Sequence, residues 1–193
     1  DDKYTAQDAA RVCSEAAGKY FLILGGAGTD QIQACAQQQK VRAGGVPYLS
    51  AGVTEVGLGN LPNYFGTSLT YKQQGPLVLK MAQDNGFLQG KWAVVATEGP
   101  NFQDAVDSIA GALQGAKVQG KAGAFGGGDI YRTAKAPRDC AALAGQLRGG
   151  GYTSIYFIGQ PSFFIQCVGA VGPGPVYTGV GPSFGINTVT NAA

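Results

Sequence analysis

The chain has 193 residues, of which 45% are hydrophobic and 13% charged, with a net charge of +2. That is enough apolar matter for one ordinary core or two small lobes, and the scattered Lys and Arg residues form no basic stripe of the kind nucleic acid requires. Histidine is absent, which removes imidazole metal ligands and every nucleophile–histidine pair, and 32 glycines without a triplet period exclude collagen and read as turns between apolar runs.

Taken in chain order, residues 6–18 read as a helix ended by Gly18. The run Tyr20-Phe21-Leu22-Ile23-Leu24, stopped by Gly25-Gly26, has the signature of a buried parallel strand. Thr29 and Asp30 are placed to cap a helix running to about Val41. Val46–Ser50 is the next strand, with Pro47 near its start where proline is tolerated. A short strand at 64–67 and a helix over 70–86 follow. A second round opens with strand Trp92–Ala96 and a helix from Phe102 to Gly115. Val118–Phe125 is expected to hold an edge strand, and Gly126-Gly127-Gly128 a loop. Residues 137–149 read as a helix with Pro137 in its first turn. Strand Ser154–Ile158, helix Phe163–Val171 and strand Val176–Val180 complete the series. Strands alternating with helices of this length mean βαβ units, hence an α/β fold of Rossmann-like parallel sheets flanked by helices. A composition change over Gly86–Lys91 divides the chain into residues 1–90 and 91–193, expected to be parts of an N-terminal and a C-terminal lobe.

The four cysteines fall two in the first third and two in the last, and none forms C-x-x-C, which argues against a zinc ribbon or redox motif. Of the three possible pairings, the sequence-local one joins Cys13 to Cys35 and Cys140 to Cys167, inside one lobe each; four buried free thiols are the alternative. Disulfides imply an oxidising, extracytoplasmic compartment. No run of 18 apolar residues is present to span a membrane. The chain opens on Asp1-Asp2-Lys3 without a secretory signal, so an exported form has had its signal removed.

The sharpest enzymatic motif is Gly181-Pro182-Ser183-Phe184-Gly185, a G-x-S-x-G after a strand. Its serine lacks a histidine base, so a strand-end turn facing a cleft is the plainer reading, and a serine hydrolase using Ser183 is the least favoured function. The Gly115–Ala122 segment approaches a P-loop but lacks the Ser/Thr that would hold magnesium and follows a helix. Gly25-Gly26-Ala27-Gly28 lacks the third dinucleotide glycine, because Gln31 stands there, yet it places backbone N–H groups at a helix start. Glu98 follows a strand at the carboxyl end, where α/β sheets bind ligands, although a solvated loop carboxylate reads equally well. No metal site, cofactor or catalytic set is expected.

Asp2-Lys3-Tyr4, Phe21-Leu22-Ile23-Leu24-Gly25-Gly26, then Val46-Pro47-Tyr48-Leu49-Ser50-Ala51-Gly52, Gln74-Gly75-Pro76 and Trp92–Ala96 follow one another in an order that resembles the type I periplasmic binding proteins. The resemblance is to the branched-chain amino-acid and amide branch serving ABC importers. It implies two lobes closing on a solute, without catalysis, and a membrane permease as partner. It also implies that Thr29, Gly52 and Thr54 supply hydroxyl and backbone groups to the ligand. The second lobe's aromatic corresponds to Phe102, without a tyrosine hydroxyl, and Gly181-Pro182-Ser183 stands where the family places an acidic partner for an ammonium. The expected site is therefore Thr29, Gly52 and Thr54 facing Glu98 and Phe102, for an amino-acid-like or other small amphipathic solute. Members of the family are longer, so the first strand–helix unit is expected before Asp1 and the return segments after Ala193. A ligand-sensing domain of the same fold and a structural role in which the chain packs into a homo-oligomer are the alternatives.

Overall fold

The computed structural model describes residues 5–25, 29–38, 41, 45–51, 58–98, 102–120, 123–125, 130–133, 139–159 and 161–180. Internal packing divides the chain into two compact units, Asp1–Tyr71 and Lys72–Ala193.

In the first unit, helix α1 (Ala6–Ala17) starts at Thr5, whose hydroxyl accepts the Asp8 N–H at 3.1 Å, a side-chain N-cap. It turns Ala9 and Cys13 inward. Strand β1 (Ile23–Leu24) leads to helix α2 (Thr29–Ala36), which buries Ile32, Cys35 and Ala36. Strands β2 (Tyr48–Ser50) and β3 (Tyr64–Gly66) complete a three-stranded parallel sheet in the order β1-β2-β3. Its core gathers Cys13, Ile32, Cys35, Ala36, Val41, Tyr48 and Leu58, with Ile23 and Tyr64 packed against it. Both helices thus serve the Tyr48 face. The register row Leu24–Leu49–Phe65 lies on the opposite face, where Leu24 is 71% and Phe65 51% exposed.

The first strand is shorter and more open than Tyr20–Leu24 predicts. Only Ile23–Leu24 pairs, and Phe21 is 88% exposed. A continuous apolar run signals a strand buried on both faces, but this sheet is covered on one face among the described residues. Helix α2 begins at Thr29 itself and ends at Ala36, short of the expected Val41.

Helix α3 (Tyr71–Asp84), which carries Pro76 in its interior, begins at the last residue of the first unit and otherwise belongs to the second. Strand β4 (Trp92–Thr97), helix α4 (Gln103–Gly115), the short strands β5 (Gln119–Gly120) and β6 (Gly123–Ala124), and strand β7 (Ile130–Thr133) follow. Helix α5 (Asp139–Gly149), strand β8 (Ser154–Ile158), helix α6 (Pro161–Val171) and strand β9 (Val176–Gly179) complete it. The main sheet runs β7-β4-β8-β9, all parallel. Every residue of β4 and β8 is buried, as central parallel strands require. Ala93, Val95, Ile155 and Phe157 share one core with residues of α5 and α6 such as Cys140, Ala144, Leu147, Phe163, Phe164 and Cys167. Helix α4 packs against β4 and turns Ala105, Val106, Ile109 and Leu113 inward.

The expected single edge strand over Val118–Phe125 is instead the antiparallel pair β5–β6. A Cβ at Gly120 would stand 3.1 Å from the Phe125 Cα, so the glycine lets Phe125 fold back and donate its N–H to the Val118 carbonyl at 2.7 Å. One edge of the main sheet is β7, beyond the glycine tract, in a segment to which the sequence assigns no element; β9 forms the other edge among the described residues. The division expected at residues 90/91 falls inside the second unit. There the Trp92 indole donates to the Phe87 carbonyl at 3.0 Å, and the Thr153 hydroxyl donates to the Gln89 carbonyl at 3.2 Å.

Both expected disulfides are present, Cys13–Cys35 with Cα atoms 5.4 Å apart and Cys140–Cys167 with Cα atoms 5.0 Å apart. Each joins the helices before and after one strand, α1 to α2 around β1 and α5 to α6 around β8. Among the described residues, no helix is long and apolar enough to cross a membrane.

Candidate functional site

Because each main sheet is parallel, all its strands finish on one edge, and loops leaving that edge converge. In the first unit that edge is formed by Gly25 after β1, Ser50 and Ala51 at the end of β2, and Thr67 after β3. The Gly25 N–H donates to the Leu49 carbonyl at 3.0 Å, which keeps the chain in register until it leaves the sheet. Above it the Tyr48 hydroxyl donates to the Gly25 carbonyl at 3.2 Å. Ser50 Oγ and the Tyr64 hydroxyl lie 3.1 Å apart, and the Ser50 carbonyl accepts both the Thr67 N–H at 3.0 Å and the Thr67 hydroxyl at 2.9 Å.

Of the expected ligand groups, Thr29 occupies the first turn of α2, following the Gly25 edge. Gly52 and Thr54 lie outside the described residues, as does the Gly181-Pro182-Ser183 turn. In the second unit, Glu98 is exposed on the bend that follows β4. Phe102 is half-buried at the N-cap of α4 and makes no side-chain capping bond. Both follow the carboxyl end of β4. The same edge presents buried Thr97 and, after β8, Gly159, where a Cβ would stand 2.8 Å from the Phe163 ring and 3.0 Å from the Thr97 methyl. Glycine at 159 therefore allows α6 to start close against the sheet.

Tyr48, Ser50, Tyr64, Thr67 and Thr97 carry no motif that marks them in the sequence. The available signal is an aromatic on each of two successive strands followed by a hydroxyl residue near the strand end. Among the described residues, no group of three His, Cys, Asp or Glu side chains is gathered to hold a metal. Burial pushes the Tyr156 phenol far above its usual value and raises Tyr177 as well, while the hydrogen bond to Glu15 raises the exposed Arg11 guanidinium.

No protein-family model matches the sequence, and no curated protein matches it. Solved structures do match. The chain has the type I periplasmic-binding-protein fold, a parallel α/β architecture shared with solute-binding proteins of ABC transporters. One neighbour is a solute-binding protein from R. palustris in complex with 4-hydroxybenzoate, with a TM-score of 0.78 and 17% identity, covering 97% of this chain and 51% of that one. Another, also from R. palustris, is in complex with benzoate, with a TM-score of 0.76, 15% identity and coverage of 100% and 52%. A leucine-binding protein from Thermotoga maritima gives 0.76 at 16% identity, with coverage of 100% and 54%. The chain spans about half the length of these structures.

Proposed function

We propose that the chain is part of an extracytoplasmic solute-binding protein that delivers a small molecule to the membrane permease of an ABC importer, and that it carries out no chemistry. The observation that carries this reading is the fold shared with ABC-transporter binding proteins over nearly the whole chain. Two disulfides, each internal to one unit, suit an oxidising compartment.

In this reading the ligand is held by the carboxyl-edge turns: Thr29, Gly52 and Thr54 from the first, Glu98 and Phe102 from the second. Hydroxyl groups and helix-start N–H groups suit a carboxylate. Phe102 offers an apolar or stacking wall. Residues 159–162 and 180–183, which follow β8 and β9 in the sequence, contain no acidic residue, so Glu98 is the one acidic group proposed to meet the ligand. We therefore favour a small carboxylate with an apolar or aromatic body over an α-amino acid, the class to which the benzoates of two neighbours belong.

Native mass spectrometry of the protein from its source, followed by calorimetry against benzoate, 4-hydroxybenzoate and L-leucine, tests the proposal. A retained carboxylic acid, with an aromatic acid preferred over leucine, supports it. Turnover of a bound ester or amide would replace it with the hydrolase reading.

A further inference from the structure

We propose that Asn85-Gly86 is a modification site: the Gly86 nitrogen closes on the Asn85 side chain, ammonia is lost, and the isoaspartate that follows releases the end of helix α3. The inference is independent of the solute-binding reading. Asn85 is the only asparagine followed by glycine; Asn60, Asn63, Asn101, Asn187 and Asn191 precede Leu, Tyr, Phe, Thr and Ala, whose Cβ atoms crowd the backbone nitrogen. Asn85 and Gly86 are both exposed. Apart from the chain neighbours, nothing lies within 4 Å of the place where a Gly86 Cβ would stand, so the corner is open to water.

The chemistry is redox-neutral and needs only water. A base in the solvent takes the Gly86 amide proton, and the nitrogen attacks Asn85 Cγ. The Cγ–Nδ2 bond breaks and Nδ2 leaves as ammonia. Water then opens the cyclic imide. Opening at the side-chain carbonyl gives aspartate. Opening at the main-chain carbonyl gives isoaspartate, in which the backbone runs through the former side chain and is longer by a methylene.

The fold ties the consequence to this corner. Gly86, at φ +74°, closes α3 as a left-handed helix end: its N–H donates to the Gln83 carbonyl at 3.1 Å and the Phe87 N–H to the Ala82 carbonyl at 2.8 Å. The Asn85 carboxamide donates to the Met81 carbonyl at 2.8 Å. These bonds hold both reacting groups, but they lie at an exposed helix end, which opens more readily than a core, and the reaction runs from the frayed state. Conversion removes the Nδ2 donor from Met81 and adds a carboxylate next to Asp84, at the negative end of the helix. The longer backbone also displaces Phe87. Its carbonyl accepts the Trp92 indole at 3.0 Å and the Ser154 hydroxyl at 3.4 Å, which ties the corner to the first residues of β4 and β8.

The test ages the full chain at mildly alkaline pH and maps its peptides by mass spectrometry, with electron-based fragmentation to tell isoaspartate from aspartate. The peptide containing Asn85 should gain the mass difference between an amide and an acid, chiefly as isoaspartate, while those containing Asn60, Asn63 and Asn101 stay unchanged. Gly86→Ala should lose the gain, but alanine at positive φ is strained. Asn85→Gln is therefore the second control: it keeps an amide, must close a larger ring, and should also lose the gain. Hydrogen exchange then compares aged with fresh protein. Peptides covering 82–88 should exchange about fivefold faster after ageing, the opening expected from one lost hydrogen bond, while those of α5 and α6 stay the same. No gain at Asn85, a gain shared with the other asparagines, or aged protein that exchanges like fresh protein over 82–88 overturns the proposal.

Discussion

Gly75 of α3 lies directly against Ser108 of α4: a Cβ at Gly75 would collide first with the Ser108 hydroxyl oxygen, and would stand 2.9 Å from the Ser108 carbonyl carbon and 3.0 Å from its oxygen. The Ser108 hydroxyl spans the same contact, donating to the Lys72 carbonyl at 3.2 Å. The glycine is therefore what lets two helices meet backbone to backbone. Gly75→Ala should destabilise the protein by about 1–3 kcal/mol, the usual cost of forcing atoms into a packed contact, despite alanine's better helix propensity. Thermal unfolding measures it. Ser108→Ala in the same chain removes the nearest obstruction, the hydroxyl, and should restore only part of the loss, because the Ser108 carbonyl still stands within 3.0 Å; full recovery would show that only the hydroxyl was in the way.

The disulfides close loops of 22 and 27 residues. On the chain-entropy account each contributes about 3 kcal/mol. Replacing either pair with alanine should lower stability by about that amount, and peptide mapping without reductant should recover Cys13 linked to Cys35 and Cys140 linked to Cys167. A peptide joining one unit to the other would contradict the fold described above.

Alkaline stability should report Tyr156. Burial raises its folded-state pKa well above the unfolded value near 10. Its contribution is thus complete below about pH 10. It is lost as pH rises through that value towards the folded pKa, because the unfolded chain releases the proton first. Unfolding free energy measured from pH 8 to 11 should fall at the top of this range, and Tyr156→Phe should flatten the fall. An identical slope in both proteins would refute the assignment.

Thr29→Val and Thr54→Val separate capping from binding. Loss of a helix-start hydrogen bond lowers stability by about 1 kcal/mol without touching affinity. Loss of a buried ligand hydrogen bond should weaken binding by about 1–3 kcal/mol. We expect the second outcome in calorimetry with a ligand identified from the source. Earlier melting with unchanged affinity would move the site elsewhere, and Phe102→Ala then becomes the variant that locates it.

Ser183 should not react with a fluorophosphonate above the background of Ser183→Ala, since the chain has no histidine to activate it. Stoichiometric labelling would reopen the enzymatic reading.

Most of the order of elements was legible because apolar runs and glycine stops carry it. Trp92–Ala96 and Ser154–Ile158 read as buried strands, and their burial at every position agrees. The same rule overstated Tyr20–Leu24, because a run of apolar residues does not say whether both faces will be covered. Strand β7 escaped because Ile130-Tyr131-Arg132-Thr133 is too short and too mixed to announce itself, and it pairs with β4 across more than thirty residues. The cysteine pairing was legible from spacing. The hydroxyl ties of Tyr48 and Tyr64 were not, because they depend on the register between strands that no local pattern records.

Each disulfide makes a covalent ring through a helix, the strand after it and the next helix. A single protease cut inside either ring, between Cys13 and Cys35 or between Cys140 and Cys167, cannot release a fragment while the bond is intact. Nicked protein would migrate as one chain without reductant and as two pieces with it. A chain that meets proteases outside the cytoplasm could thus be cut in these segments and still keep both halves of each ring together.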